Sequence, residues 1–287
     1  MKRVLALLPL LACDEALDQR LAIIAAPRVL AVIAEPAEAR PGTEVTYRAV
    51  IASPDGPLDA TPAWAFCTSP KPPTEDNAVS VPCVDGSGLV PLAPGTAPMT
   101  ATGALPMDGC LRFGPDVPPG GFRPRDADPT GGFYQPVRVD TELAPLAFGL
   151  SRITCNLANA TPEAFRRYAS EYVPNVNPTL EANIDPLVVA PGGSLAITAA
   201  WPAGTAETFL YYDRAPQRLI DQRESLRVSW FATSGTFPVD ATLADSDATS
   251  ATTIWTAPST ATEATVWIVL RDSRGGMAVE TRSISVR

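Results

Sequence analysis

The chain is predicted to be all-β, built as two β-sandwich domains in tandem, and three observations carry that prediction. A short apolar strand, a Glu/Asp-Pro step, a Pro-Gly turn and a strand of strict alternation occur twice. The first copy is Glu35-Pro36, Pro41-Gly42, then Val45, Tyr47 and Ala49. The second is Asp185-Pro186, Pro191-Gly192, then Leu195, Ile197 and Ala199, each landmark 150 residues after its counterpart. Pro-Gly marks a turn, and a period of two marks a half-buried strand. A tryptophan then follows in both copies, within Ala63-Trp64-Ala65-Phe66 and within Ser229-Trp230-Phe231-Ala232. A repeat of turn, alternation and aromatic together is the signature of a duplicated sandwich, with each tryptophan expected in a core.

The elements follow in order. Leu21 to Ala34 is largely apolar but is interrupted by Pro27-Arg28, so a strand is expected from Arg28 to Ala34. Its unbroken apolar character suits a strand covered on both sides. From Thr68 to Gly132, prolines and glycines crowd an insertion that holds Cys83 and Cys110. With Cys67 and Cys155 these make four cysteines, which allow three pairings. Cys67–Cys83 and Cys110–Cys155 are the expected pairs, stapling the insertion. Phe133–Val139 and Leu146–Leu157 close the first domain as strands. A helix follows, with Thr161 as N-cap, Pro162 at its first position, and Phe165, Tyr168 and Tyr172 on one face. It is expected to pack on the end of the first sandwich.

The predicted layout is therefore a leader over 1–12, a tether over 13–26, the first sandwich with its insertion and helix over 27–172, a linker over 173–178, and the second sandwich over 179–287. The linker holds Pro174 and Pro178, which predicts a semi-rigid joint. The second domain has its own insertion from Thr208 to Glu224. Tyr211 and Tyr212 sit there as adjacent rings on opposite faces of a strand. They are candidate surface-binding residues, set against core packing with one ring half exposed.

At the N-terminus, Lys2 and Arg3 precede an apolar run from Val4 to Ala12, ending in Leu10-Leu11-Ala12-Cys13. A charged start, a short apolar stretch and a small residue before a cut describe an export signal. The run ends at Asp14 and Glu15, well short of the ~20 apolar residues that a spanning helix needs. The cysteine at the cut resembles the lipobox of bacterial lipoproteins. The resemblance implies that Cys13 is lipidated, carries several acyl chains and becomes the first mature residue. That places the protein in a bacterial envelope, tied to a membrane by its N-terminal lipid, on the periplasmic side or the cell surface. Asp14 resembles an inner-membrane retention signal of enteric bacteria, and the choice of membrane stays open. With Cys13 spent on lipid, the four remaining cysteines are an even set suited to an oxidising compartment.

The second domain resembles bacterial Ig-like and PKD-like repeats, in Trp230-Phe231-Ala232-Thr233-Ser234-Gly235, Trp255-Thr256-Ala257-Pro258 and Asp272-Ser273-Arg274-Gly275-Gly276. The resemblance covers about the last hundred residues and implies an Ig-like sandwich; it says almost nothing of function. Together with the lipobox, the chain resembles envelope lipoproteins with tandem Ig-like domains.

The chemistry is mostly exclusion. Net charge is −9, and −11 once Lys2 and Arg3 leave with the leader, which argues against nucleic acid. There is no histidine, so His-dependent triads are excluded and the commonest metal ligand is missing. A Ser-Lys dyad could use only Lys71, in a Pro-rich stretch without a nucleophile motif. No C-x-x-C spacing points to a metal or redox site. Asp240, Asp245 and Asp247 cluster, but their spacing fits no EF-hand, and a solvated acidic loop is expected. No cofactor and no metal are expected. The resulting expectation is a non-enzymatic binding, adhesion or assembly module with a protein or cell-surface glycan partner. The alternatives are an accessory or sensor subunit with a ligand at the first-domain insertion or the domain interface, and a carboxylate-based carbohydrate-active enzyme.

Overall fold

The computed structural model describes residues 21–70, 79–112 and 128–287. Cys13 and Lys71 lie outside them. Two Ig-like sandwiches follow one another. In the first, one sheet is formed by β1 (Arg28–Glu35), β3 (Glu44–Ser53), β8 (Thr100–Ala104) and β7 (Ala93–Pro94), with β4 (Gly56–Pro57) beside β3. The facing sheet runs β2 (Glu38–Ala39), β10 (Ala144–Thr154), β9 (Gly132–Thr141), β5 (Ala63–Cys67), β6 (Leu89–Pro91). In the second, β11 (Glu181–Ile184), β13 (Ser194–Ala200) and β18 (Ser250–Thr256) face a sheet of order β12 (Val188–Val189), β20 (Met277–Val286), β19 (Thr262–Asp272), β16 (Leu226–Ala232), β17 (Ala241–Ala244). A separate hairpin, β14 (Thr208–Asp213) and β15 (Arg218–Arg223), fills the second insertion.

The repeated landmarks do the same work twice. Glu35-Pro36 and Asp185-Pro186 are both cis, and each lets the chain leave one sheet for the other. Just after the switch, β2 pairs parallel with β10 and β12 pairs parallel with β20. Gly42 and Gly192 then turn at φ 79° and 70°, a region in which a Cβ is strained. Trp64 and Trp230 occupy equivalent strands and are both buried in the cores. The disulfides join Cys67 to Cys83 and Cys110 to Cys155. Cys83 and Cys110 sit on one-turn helices, α1 (Val81–Val84) and α2 (Gly109–Arg112), inside the stretch read as loop.

The two sandwiches lie side by side. β1 is covered on both faces, as its composition predicts: Val32 and Ala34 point into the first core, while Leu30, Ala31 and Ile33 pack against Trp267 and Val269 of the second domain. Trp267 is fully buried there. The joint is thus a packed apolar interface, tighter than the semi-rigid linker expected from two prolines. The segment placed in the tether is also shorter at this end. Ala22 is buried in the second core, Ile24 is buried at the interface, and the Ile24 amide donates to the Ala232 carbonyl at 2.9 Å.

The helix α3 (Pro162–Glu171) starts as predicted, with the Thr161 hydroxyl accepting from the Ala164 amide at 3.2 Å. Its packing differs from the expectation. It buries Ala164 and Tyr168 against Leu210, Tyr212 and Leu219 of the second domain's hairpin, and leaves Phe165 44% exposed. The Tyr168 hydroxyl donates back to the Thr130 carbonyl of the first domain at 2.9 Å. The helix therefore rivets both domains.

Candidate functional site

At one end of this body the linker crosses a buried ionic cluster. Glu38, at the start of β2, has its carboxylate fully enclosed. It accepts from Tyr172 Oη at 2.8 Å, from Thr154 Oγ1 at 2.9 Å and from the Asn175 amide at 2.9 Å, and pairs with Arg152 Nε at 3.2 Å. Arg152 also reaches Asp128 at 3.4 Å and lies 5.0 Å from the Tyr134 ring centre.

The second domain answers with Arg274, in the turn between β19 and β20. Asp272 shapes that turn by accepting from the Arg274 amide at 2.8 Å and the Gly276 amide at 2.9 Å. The Arg274 guanidinium is thereby aimed at Glu224 (2.6 Å), Glu207 (2.7 Å) and the Val173 carbonyl (3.1 Å). Asn175 closes the link by donating its side-chain amide to Asp272 at 3.2 Å.

Five carboxylates here face two guanidiniums. Burial with Asp272 beside it pushes the Glu224 carboxyl up to about 7, against the pull of Arg274. Burial also raises Asp272, although backbone amides oppose it. Burial alone would lower Arg152, but Glu38, Tyr172, Tyr134 and Asp128 outweigh it and hold the guanidinium above its usual value. Burial pushes the Tyr172 hydroxyl up to about 12. Enclosed charges of this kind cost several kcal/mol unless paired and hydrogen-bonded, and here each is engaged. The cluster is a clamp whose centre, Glu38, Arg152, Glu224 and Arg274, is closed to solvent, with Asp128 and Glu207 partly exposed at its edge.

Beside the clamp a cleft of about 520 Å³ opens to solvent. One wall is the first-domain insertion, with Met107, Leu111 and the Cys110–Cys155 disulfide. The opposite wall is the linker helix, with Tyr168, Ala169 and Tyr172. Thr154 and Asn156 form the floor, and Arg40, Pro41 and Pro174 the rim. Tyr168 and Tyr172 stack with ring centres 4.5 Å apart. Among the described residues, the Arg40 guanidinium has no carboxylate or other acceptor. The size and the mix of apolar walls with a few polar groups suit a small ligand or a peptide or sugar end.

The candidates named from sequence fall elsewhere, apart from the Cys110–Cys155 pair. Tyr212 is corrected: it is buried against Leu157, Tyr168 and Leu219, and its amide donates to the Pro129 carbonyl at 2.8 Å. Tyr211 is half-buried on the other face of β14. Asp245 and Asp247 are exposed, with Asp247 paired to Arg223. Among the described residues no group of three or more acidic or cysteine side chains is placed to hold a metal. Glu38, Arg152, Glu224 and Arg274 went unnoticed in the sequence. Only the Asp272–Gly276 turn motif touched them, and it marks a turn without saying what the arginine inside it meets.

No protein-family profile matches the chain, and no curated protein matches it by sequence. Solved structures that align with it include the D0–D1 domains of intimin, at 10% identity and a TM-score of 0.25, covering 90% of this chain and 98% of that one. The Yersinia pseudotuberculosis adhesin InvE aligns at 11% identity and a TM-score of 0.25, covering 90% of this chain and 58% of that one. A glycosyl hydrolase family 2 member from Bacteroides cellulosilyticus aligns at 8% identity and a TM-score of 0.26, covering 86% and 23%. At these scores the Ig-like assignment rests on the strand orders above.

Proposed function

We propose that the chain is a lipid-anchored, non-enzymatic binding module of a bacterial envelope, with the cleft beside Arg40 as its ligand-binding place. The observation that carries this reading is the cleft: an open, aromatic-walled cavity whose rim guanidinium has no partner among the described residues, set on a clamp that fixes its walls. Three features support it. The buried carboxylates nearby are bound by guanidiniums, hydroxyls or amides, which leaves no free acid–base pair facing the cleft. The disulfide and the helix hold opposite walls, so little ordering is lost on binding. Cys13 supplies the anchor in the lipobox reading, with a protein or surface glycan as partner.

The test is a pull-down from detergent-solubilised envelopes with tagged mature protein, beside Arg40→Glu and Cys13→Ser. Wild type should be labelled by a fatty-acid probe and should capture a stoichiometric partner. Arg40→Glu should keep the label and its melting temperature and lose the partner. Equal capture by Arg40→Glu would move the site away from the cleft. A wild-type protein that takes up no probe would remove the anchor.

A further inference from the structure

The point at which the chain leaves the body fixes how the body can stand on a membrane. The exit is Leu21, whose carbonyl accepts from the Arg28 guanidinium, beside the Ile24–Ala232 hydrogen bond at the end of β16. Only seven residues, 14–20, separate Leu21 from Cys13. Fully extended they reach about 25 Å. β1 alone, eight residues from Arg28 near the exit to Glu35 at the clamp end, spans about 26 Å. The cleft lies beyond its far end. A leash of that length is used up before the cleft end could turn to the bilayer.

Charge narrows this end to one sandwich. Three loops of the second sandwich meet around the exit, over 190–193, 233–240 and 257–261. The Gly192 amide donates to the Pro258 carbonyl at 2.9 Å, Ala257 to Gly193 at 2.8 Å, and Thr236 bridges Thr256. Their one charged residue is Asp240, which closes the second loop just before β17. Glu263 and Arg287, which flank them, have opposite signs. At this end the first sandwich offers the exposed Asp55 and Glu142 on its hairpins. In a chain of net charge −9, these loops, with a single carboxylate, are the surface at this end that anionic headgroups repel least.

We infer that these three loops of the second sandwich rest on the lipid surface, while the Arg40 cleft faces away from it; this rests on the proposed lipidation of Cys13. The acidic hairpins of the first sandwich then sit off the headgroups, and the cleft is presented to whatever approaches from the aqueous side.

The test uses the full lipidated chain in vesicles of phosphatidylethanolamine and phosphatidylglycerol that carry a headgroup-attached acceptor dye. A donor dye is placed on a single introduced thiol, Ser259→Cys in the third of these loops or Ser170→Cys on α3. Both positions are exposed. Energy transfer from 259 should exceed that from 170 several-fold, and Thr260→Cys should repeat the 259 value. Equal or reversed transfer, from protein that still floats with the vesicles, overturns the orientation and leaves the anchor standing. Protein that does not float overturns both.

Discussion

The second sandwich closes its core around Trp230 and Trp255, both fully buried, with their indole nitrogens donating to Thr242 Oγ1 and the Ser234 carbonyl at 3.0 Å each. The first closes around Tyr47, Trp64 and Phe66 and adds two disulfides. Among the described residues Trp64 has no partner for its indole nitrogen. One difference explains the other. The strand β17 that supplies Thr242 has β6 in its place in the first domain, where the chain spends its length on the Pro/Gly-rich insertion. A domain that opens its sheet edge to an insertion loses apolar packing there and regains order through covalent staples. The same Ig-like plan is thus held by aromatic burial in one copy and by crosslinks in the other.

Breaking each device in turn should separate the two domains. Trp230→Ala should have the largest effect, about 4 kcal/mol of unfolding free energy from the emptied core, measured by denaturant titration. A loss under about 1 kcal/mol would mean the second core is not organised around that ring. Arg274→Met should cost about 3 kcal/mol, because Glu224 and Glu207 lose their buried counter-charge. In calorimetry it should split one transition into two as the domains uncouple. Cys67→Ala with Cys83→Ala reopens a loop of sequence separation 16, worth about 3 kcal/mol by loop-closure entropy. Made in the Arg274→Met background, where the two transitions are separate, it should move only the first domain's, and an equal shift in the second would blur the contrast.

The smallest effect expected is a pH dependence at the clamp. The Glu224 carboxyl is pushed up from its ordinary value to about 7 by burial and by Asp272. Between those two values the folded protein holds more protons than the unfolded chain. Stability from this group is therefore full at low pH and falls as pH rises toward 7. Arg274, Glu207 and Asp272 face Glu224, and Asp272, also raised, acts in the same direction. Melting temperature should be higher at pH 5.5 than at pH 8, and Glu224→Gln should flatten that slope. An unchanged slope would assign the titration to another group.

The parts legible in the sequence are those written locally. The Pro–Gly turns, the alternating β3 and β13, the Thr161 cap and the double-sided burial of β1 each depend on residues within about ten positions of one another. The strand β8 was missed, because Thr-Ala-Thr-Gly-Ala carries no apolar alternation although Ala101 is fully buried. Phe165 misled through its spacing: the hairpin that covers α3 meets Tyr168 and Ala164 instead. The clamp was illegible for a different reason. The bonds that tie it across the domains join distant residues, Arg274 to Glu224 at 50 positions and Asn175 to Glu38 at 137, and an arginine in a turn gives no hint of its distant acid.

The bond from Ile24 to Ala232 also sets an order of assembly. A chain made from its N-terminus delivers Ile24 long before the strand that receives it. Until β16 and β19 arrive, Ile24, Leu30 and Ile33 have nothing to cover them. The first half of the chain must therefore wait with a greasy flank uncovered, and the molecule is finished only when its last strands fold back onto its beginning.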